Sequence, residues 1–202
     1  MPIRFLGNQA YANTFQAMKD FTNQRDDNTA DEIWLVEHPS VYTQGLNGNP
    51  EHLLSTQIQT VQTDRGGQIT YHGEGQMIIY LLIDLKRASL GVKQLINTME
   101  QAIINFLSDF QITALARTDA PGVYIDDQKI ASLGIKVKKS RSYHGLAINI
   151  DMDLAPFQLI NPCGLTGMQM TQLKNHTLLP HKKMIEQKML NHLTKLLPTI
   201  RL

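Results

Sequence analysis

The chain has 202 residues, of which 42% are hydrophobic and 18% charged, a balance that builds a buried core and excludes a disordered tail. Its net charge of +1 gives no global field to recruit nucleic acid or an anionic membrane surface. A single cysteine excludes an internal disulfide framework and a multi-cysteine zinc site.

The N-terminal MPIRFLGNQAYANTF lacks the apolar run of a signal peptide, and no later stretch is long enough to span a bilayer. A reducing cytoplasm is therefore expected, with Cys163 a free thiol and the Asn175-His176-Thr177 sequon accidental. Over 9–23 the spacing of Tyr11, Phe15, Met18 and Phe21 predicts an amphipathic helix. EIWLVEH (32–38) reads as a buried strand running into Pro39, and Gly45, Gly48 and Pro50 mark a loop. IQTVQT (58–63) alternates as a strand does, and the apolar run QMIIYLLIDL (76–85) predicts a central one.

Residues 92–110 give the clearest helix, with Val92, Leu95, Ile96, Met99, Ile103, Phe106, Leu107 and Phe110 on one face and Lys93, Glu100 and Asp109 off it. Three strand-like runs follow in GVYIDDQKIASLGIKVKK and SYHGLAINID, joined by polar turns at 126–128 and around 138–142, the pattern of an antiparallel meander. A last helical stripe is Met184, Ile185, Met189, Leu193, Leu196 and Leu197, ending before Pro198. With no repeat and no linker, the chain reads as one α+β domain over 1–202, a mostly antiparallel sheet with segregated helices.

Four segments can carry chemistry. DRGGQITYHGEGQ (64–76) has four glycines that let backbone N–H groups approach a ligand, with Arg65 suited to an anion and His72 to acid–base work. It matches neither nucleotide-binding glycine spacing, and a pair of tight strand-edge turns explains it as well. In QKIASLGIKVKK, Lys136, Lys138 and Lys139 read as a solvated edge and turn. Lys129 opens the apolar run, where its side chain can point inward. In YHGLAINID, Gly145 and Ala147 leave room either for an apolar ligand or for close strand packing.

The fourth is INPCGLTGMQMTQL, where Pro162 and Gly164 constrain Cys163 and GMQMTQL can begin a helix. At an ordinary pKa near 8.5, only about 3% of a thiol is thiolate at neutral pH. An ammonium about 4 Å away supplies on the order of 4 kcal/mol at an effective dielectric near 20. With such a partner Cys163 is a nucleophile; without one it is a small buried hydrophobe.

Together these segments resemble the lipoyl(octanoyl) transferase family, the octanoyl-acyl-carrier-protein:protein N-octanoyltransferases. The likeness runs from EHPSVYTQG (37–45) through RGGQITYHGEGQ and PGVYIDDQKIASLGIKV to YHGLAINIDMDLAPFQLINPCGLTGMQMTQL, about two-thirds of the chain in order. It implies the biotin/lipoate protein ligase catalytic fold, an α+β domain. It also implies that Cys163 takes octanoyl from the carrier protein's thioester and passes it to a lysine amine. The acceptors would be lipoyl domains of 2-oxoacid dehydrogenases and the glycine-cleavage H protein. On this resemblance the family's catalytic lysine falls on Lys129, which lowers the cysteine pKa and helps deprotonate the amine. Arg65, Gly66, Gly67, Gln68, Ile69, Thr70, Tyr71 and His72, with Ser132, Leu133, Gly134, Gly145, Leu146 and Ala147, would line the acyl and substrate pocket. No cofactor, metal, nucleic acid or membrane is implied, and a monomer is expected. Alternatives are an ATP-dependent ligase of the same fold and a non-catalytic module that binds lipoyl domains. One departure stands out: the family's usual HGPGQ is His72-Gly73-Glu74-Gly75-Gln76 here, which adds chain freedom and a charge.

Overall fold

The structure, a computed structural model, describes residues 1–55, 57–162 and 167–198. In chain order its elements are β1 (Ile3–Asn8), α1 (Tyr11–Gln24), β2 (Glu32–Glu37), β3 (Val41–Gln44), β4 (Thr60–Gln62), β5 (Ile69–His72) and β6 (Gln76–Leu82). They continue with α2 (Val92–Ser108), β7 (Leu115–Ala116), β8 (Val123–Ile125), β9 (Gln128–Lys138), β10 (Arg141–Asn149) and α3 (Lys182–Leu196).

A seven-stranded sheet runs in the order β1-β2-β6-β10-β9-β8-β7, antiparallel except for the β1–β2 pair. β6 lies inside it with every residue buried, which explains its unbroken apolar sequence. Alternate residues of β6 serve two cores. Met77, Ile79 and Leu81 pack with α2 and α3, while Ile78, Tyr80 and Leu82 pack with Met18 of α1. The α+β class and the mostly antiparallel sheet are as expected, with the helices distributed over both faces. A second sheet, β4-β3-β5, lies with Phe157, Met152 and Ile160 in a small third cluster.

Two helical stripes differ in detail from the expected ones. Val92 of α2 and Met184 and Leu196 of α3 face solvent, because the buried arcs are centred on Met99–Phe106 and Ile185–Leu193. The meander is present as β8-β9-β10. Both hairpins use two-residue turns, Asp126-Asp127 and Lys139-Ser140, and all four residues have positive φ. Such turns match the right-handed strand twist and fix register tightly.

Beside the Lys139-Ser140 turn, Arg25 and Arg87 both bind Asp31, and Arg141 bridges Asp84 and Asp27. This cluster fastens the loop after α1 to the ends of β6 and β10.

Candidate active site

Lys129 is 0% exposed, and a bulge decides where its side chain goes. Between β8 and β9, Tyr124 pairs with Lys129 and Val123 with Ala131, so Ile130 is the extra residue. Ile130 and Ala131 consequently both face the larger core, and Lys129 joins Tyr124 on the opposite face. That is also the face of Ser132 and Gly134. The ammonium donates to Pro121 O at 2.8 Å and lies 5.5 Å from the centre of the Tyr124 ring. Gly122 makes the space: a Cβ there would stand 2.5 Å from Lys129 Cε and 2.9 Å from Nζ. Glu100, placed off the apolar face of its helix by sequence, is half-buried and accepts from Gly122 N at 3.3 Å. Burial lifts its carboxyl above the usual range, opposed by the Gly122 N–H and the Lys129 charge.

Cys163 lies outside the described residues, as does Gly164. The chain on either side is anchored. Asn161 N donates to His52 O at 2.8 Å, and beyond Gly167 the chain runs beside β9, with Lys129 N donating to Gln169 O at 2.8 Å and Thr171 N to Lys129 O at 3.0 Å. Residues 167–172 are therefore not a helix, contrary to the expectation for GMQMTQL. Their backbone groups pair with β9, and the first helical turn is the short 3-10 segment Leu173–Asn175.

The expected pocket residues converge on a cavity of about 50 Å³. Its floor is the sheet, where register places Ser132 beside Ala147 and Ile78, and Gly134 beside Gly145 and Tyr80. Its roof is the 65–72 segment, with Arg65, Gly67, Gln68, Ile69, Thr70 and His72 among the lining residues. Leu133 and Leu146 line it too, but their side chains join the larger core, so they offer the cavity main chain. Gly66 and Tyr71 are not in the lining. Gly66 N–H pins the loop to β9 through Ile135 O at 3.0 Å, and Tyr71 packs in the third cluster with its hydroxyl 2.8 Å from Ser40 Oγ. Lys129 is outside the cavity wall as well.

Arg65 is buried and donates to Thr43 O at 2.8 Å, Thr43 Oγ1 at 2.9 Å and Gly66 O at 3.1 Å. Those bonds tie the glycine-rich loop to β3. His72, read from sequence as either a surface or a working residue, is buried, and burial first, then the nearby His38, pushes its pKa down to about 3. Glu74 is exposed and accepts from Asn8 Nδ2 at 3.1 Å.

Several site residues are not among the expected ones. Tyr11 and His72 rings stack 5.8 Å apart, and His38 Nε2 lies 2.8 Å from the Tyr80 hydroxyl. Burial raises Tyr11 to about 12 and raises Tyr80, so both stay neutral hydroxyls. His144 has φ +61°, a strained conformation for a non-glycine residue, and is held by Asp64 at 2.9 Å. Burial lowers the His144 pKa against the opposing pull of Asp64. Burial alone would raise Asp64, but hydrogen bonds from His144 and Tyr143 more than offset it and hold the carboxyl below its usual range. His38, Gln76 and His144 stand within the segments that carry the family resemblance, whereas Tyr11 is marked in sequence only as an apolar-face helix residue and Tyr80 only as part of an apolar strand.

Among the described residues no group of three or more metal-ligating side chains occurs, and no helix is long and apolar enough to cross a membrane.

The fold is that of lipoate- and biotin-ligase catalytic domains. A lipoate protein ligase from T. acidophilum with bound lipoic acid superposes with a TM-score of 0.74 at 12% identity, over 98% of this chain and 86% of that one. Biotin protein ligase from Aquifex aeolicus gives 0.59 at 12% identity, over 98% and 69%. The lipoyl protein ligase A/B catalytic domain family matches residues 10–194. Octanoyltransferase of Hydrogenovibrio crunogenus is 60% identical over 179 residues, 87% of this chain and 86% of its own. That of Psychromonas ingrahamii is 59% identical over 175 residues, 86% and 81%. The chain belongs to the octanoyltransferases of the lipoyl protein ligase A/B family.

Proposed function

We propose that this chain, as one catalytic domain over 1–202, transfers an octanoyl group from octanoyl-acyl-carrier protein to a lysine of a lipoyl domain, through a thioester on Cys163. The acceptors are lipoyl domains of 2-oxoacid dehydrogenases and the glycine-cleavage H protein. In the first step the Cys163 thiolate attacks the carrier thioester carbonyl, and the carrier's thiolate leaves with the proton of the Lys129 ammonium, which becomes the amine. In the second, the acceptor amine attacks the Cys163 thioester, an amide forms, and the thiolate returns. The proton lost by the amine passes to Lys129, which holds the thiolate as its ammonium and accepts the proton as its amine. Thioester exchange is nearly isoenergetic and amide formation is downhill, so neither ATP nor a metal is required. The two groups titrate as a pair, thiolate–ammonium against thiol–amine.

The observation that carries this reading is a fully buried lysine whose backbone is bonded on both sides to 169–171, the strap that follows Cys163 in the chain. Structural lysines are almost never wholly buried. The cavity beside it, lined by Arg65, Gly67 to Thr70, His72, Ser132 to Gly134 and Gly145 to Ala147, is assigned to the acyl chain. At about 50 Å³ it holds a few waters at most, so its walls part when an eight-carbon chain enters. The enzyme is taken to be a cytoplasmic monomer.

Intact-protein mass spectrometry after incubation with octanoyl-carrier protein tests the reading. The expected product without ATP is one octanoyl adduct, absent from Cys163→Ala. Full activity of Cys163→Ala with an ATP requirement would instead make the chain an adenylating ligase.

A further inference from the structure

Four buried groups form a line from the cavity to Lys129. Asn149 Nδ2 donates to Thr171 O at 2.9 Å, Gln76 Nε2 to Asn149 Oδ1 at 2.9 Å, and His72 Nδ1 lies 2.7 Å from Gln76 Oε1. Thr171 is 0% exposed, Asn149 1% and Gln76 2%.

One carbonyl sets the direction of the whole line. Thr171 O can only accept, so Asn149 must turn its amide nitrogen toward it and its oxygen toward Gln76. Gln76 must then offer its own nitrogen to Asn149, which leaves its oxygen facing His72. His72 therefore carries its proton on Nδ1, and Nε2 keeps a lone pair. Reversing any one amide would set two acceptors or two donors against each other in a buried site.

At its other end the line holds the strap. Thr171 N donates to Lys129 O and Lys129 N to Gln169 O, an isolated bridge between Lys129 and Met170 rather than a strand of the sheet. A two-bond bridge is the kind of contact that opens locally. The Asn149 amide, reaching across from β10, ties the strap to the sheet interior, and the Thr171 hydroxyl adds a bond to His176 Nε2 at 2.8 Å.

We infer that Asn149 and Gln76 are positioning residues for acyl transfer: they lock the 169–171 strap against Lys129 and fix His72 as a neutral acceptor. The inference rests on the reading that Lys129 activates Cys163. Gln76 acts through Asn149 and His72, and Asn149 acts through the strap.

The test is the pH profile of Cys163 alkylation by iodoacetamide in the full chain, with octanoyl-transfer kinetics beside it. In Asn149→Leu the alkylation midpoint is expected to rise by about one pH unit, a tenfold loss of thiolate at low pH. The transfer kcat should fall about tenfold, with KM little changed. Added to Lys129→Ala, Asn149→Leu should move the midpoint no further, because both act through one ammonium. If Lys129→Ala shifts the midpoint and Asn149→Leu does not, the positioning role is overturned while the Lys129 reading stands. If Lys129→Ala leaves it unmoved, the parent reading fails first. Should Asn149→Leu not fold, Asn149→Ser is read by the same criteria. Nitrogen NMR of the His72 ring is the independent measurement. Protonation at Nδ1 supports the line's direction, and protonation at Nε2 overturns it.

Discussion

Replacing Gly122 by alanine tests whether Lys129 is held as the structure places it. A Cβ at this position would meet Lys129 Cε at 2.5 Å, Ala131 O at 2.7 Å and Lys129 Nζ at 2.9 Å. The φ of +148° is one that L side chains rarely adopt, so alanine brings about 1–3 kcal/mol of backbone strain before any contact is counted. Ala131 O belongs to the paired β9 backbone and cannot move freely, whereas Lys129 Cε and Nζ are the end of a flexible chain. The methyl therefore displaces the ammonium from Pro121 O. Gly7→Ala is the matched control: φ is +67° with nothing within 4 Å of its Cβ, so it costs about 1–2 kcal/mol in strain and touches nothing at the site. At about 2–4 °C per kcal/mol for a domain of this size, both variants melt lower by several degrees. Octanoyl transfer, measured well below both melting temperatures, should separate them. Gly7→Ala should retain the parent rate, while Gly122→Ala should lose about tenfold or more, corresponding to about 1.4 kcal/mol of transition-state stabilisation. A normal rate in Gly122→Ala, or an equal loss in Gly7→Ala, would refute the reasoning.

Two further outcomes are expected. His72 is held neutral with its pKa at about 3, so the unfolded chain binds more protons below its ordinary value near 6.5. Its contribution is complete above that value and declines as pH falls toward about 3. From pH 6.5 to 5 the loss is about 2 kcal/mol, measurable by thermal unfolding, with His38 and His144 adding in the same direction; an unchanged slope in His72→Asn would sink this account. Asp31→Asn removes the carboxylate shared by Arg25 and Arg87, with Arg25 almost wholly buried. Leaving that charge unpaired should cost about 3–5 kcal/mol in urea unfolding, and a loss below 1 kcal/mol would show that the cluster is not holding the loop.

The long elements were legible because their patterns are local. β6 is apolar at every position since both faces are buried, and α2 carries a stripe because one face is. Three short strands were not, although the equally short β2, β4 and β8 were expected. In β1, β3 and β5, four to six residues long, no apolar run or alternation rises above composition. β5 was also hidden inside a glycine-rich run that reads as turns. The site divides in the same way. The glycine-rich roof and the small-residue floor stand out as composition, and register places Gly134 beside Gly145 and Ser132 beside Ala147. Tyr11, His38 and Tyr80, by contrast, come from three separate elements and become a site only through tertiary packing.

Lys129 shows most clearly where local reading stops. Strict alternation along QKIASLG puts it on the same side as Ala131 and Leu133, in the apolar core, where an unpaired ammonium would be costly. The Asp126-Asp127 turn decides otherwise. By closing Ile125 onto Gln128 in a two-residue hairpin, it sets Lys129 opposite Tyr124. Because Val123 must still pair with Ala131, Ile130 becomes a bulge and the side-chain phase reverses at that residue. A single inserted residue thus moves the lysine from the core face to the face of the cavity floor. Lengthening the turn by one residue lets Ile130 pair with Tyr124 and Lys129 with Ile125, which returns Lys129 to the core side and should abolish octanoyl transfer even in chains that still fold. Deleting Ile130 removes the bulge but keeps Lys129 opposite Tyr124, so transfer should persist, and a loss there equal to that of the longer turn would refute the register account.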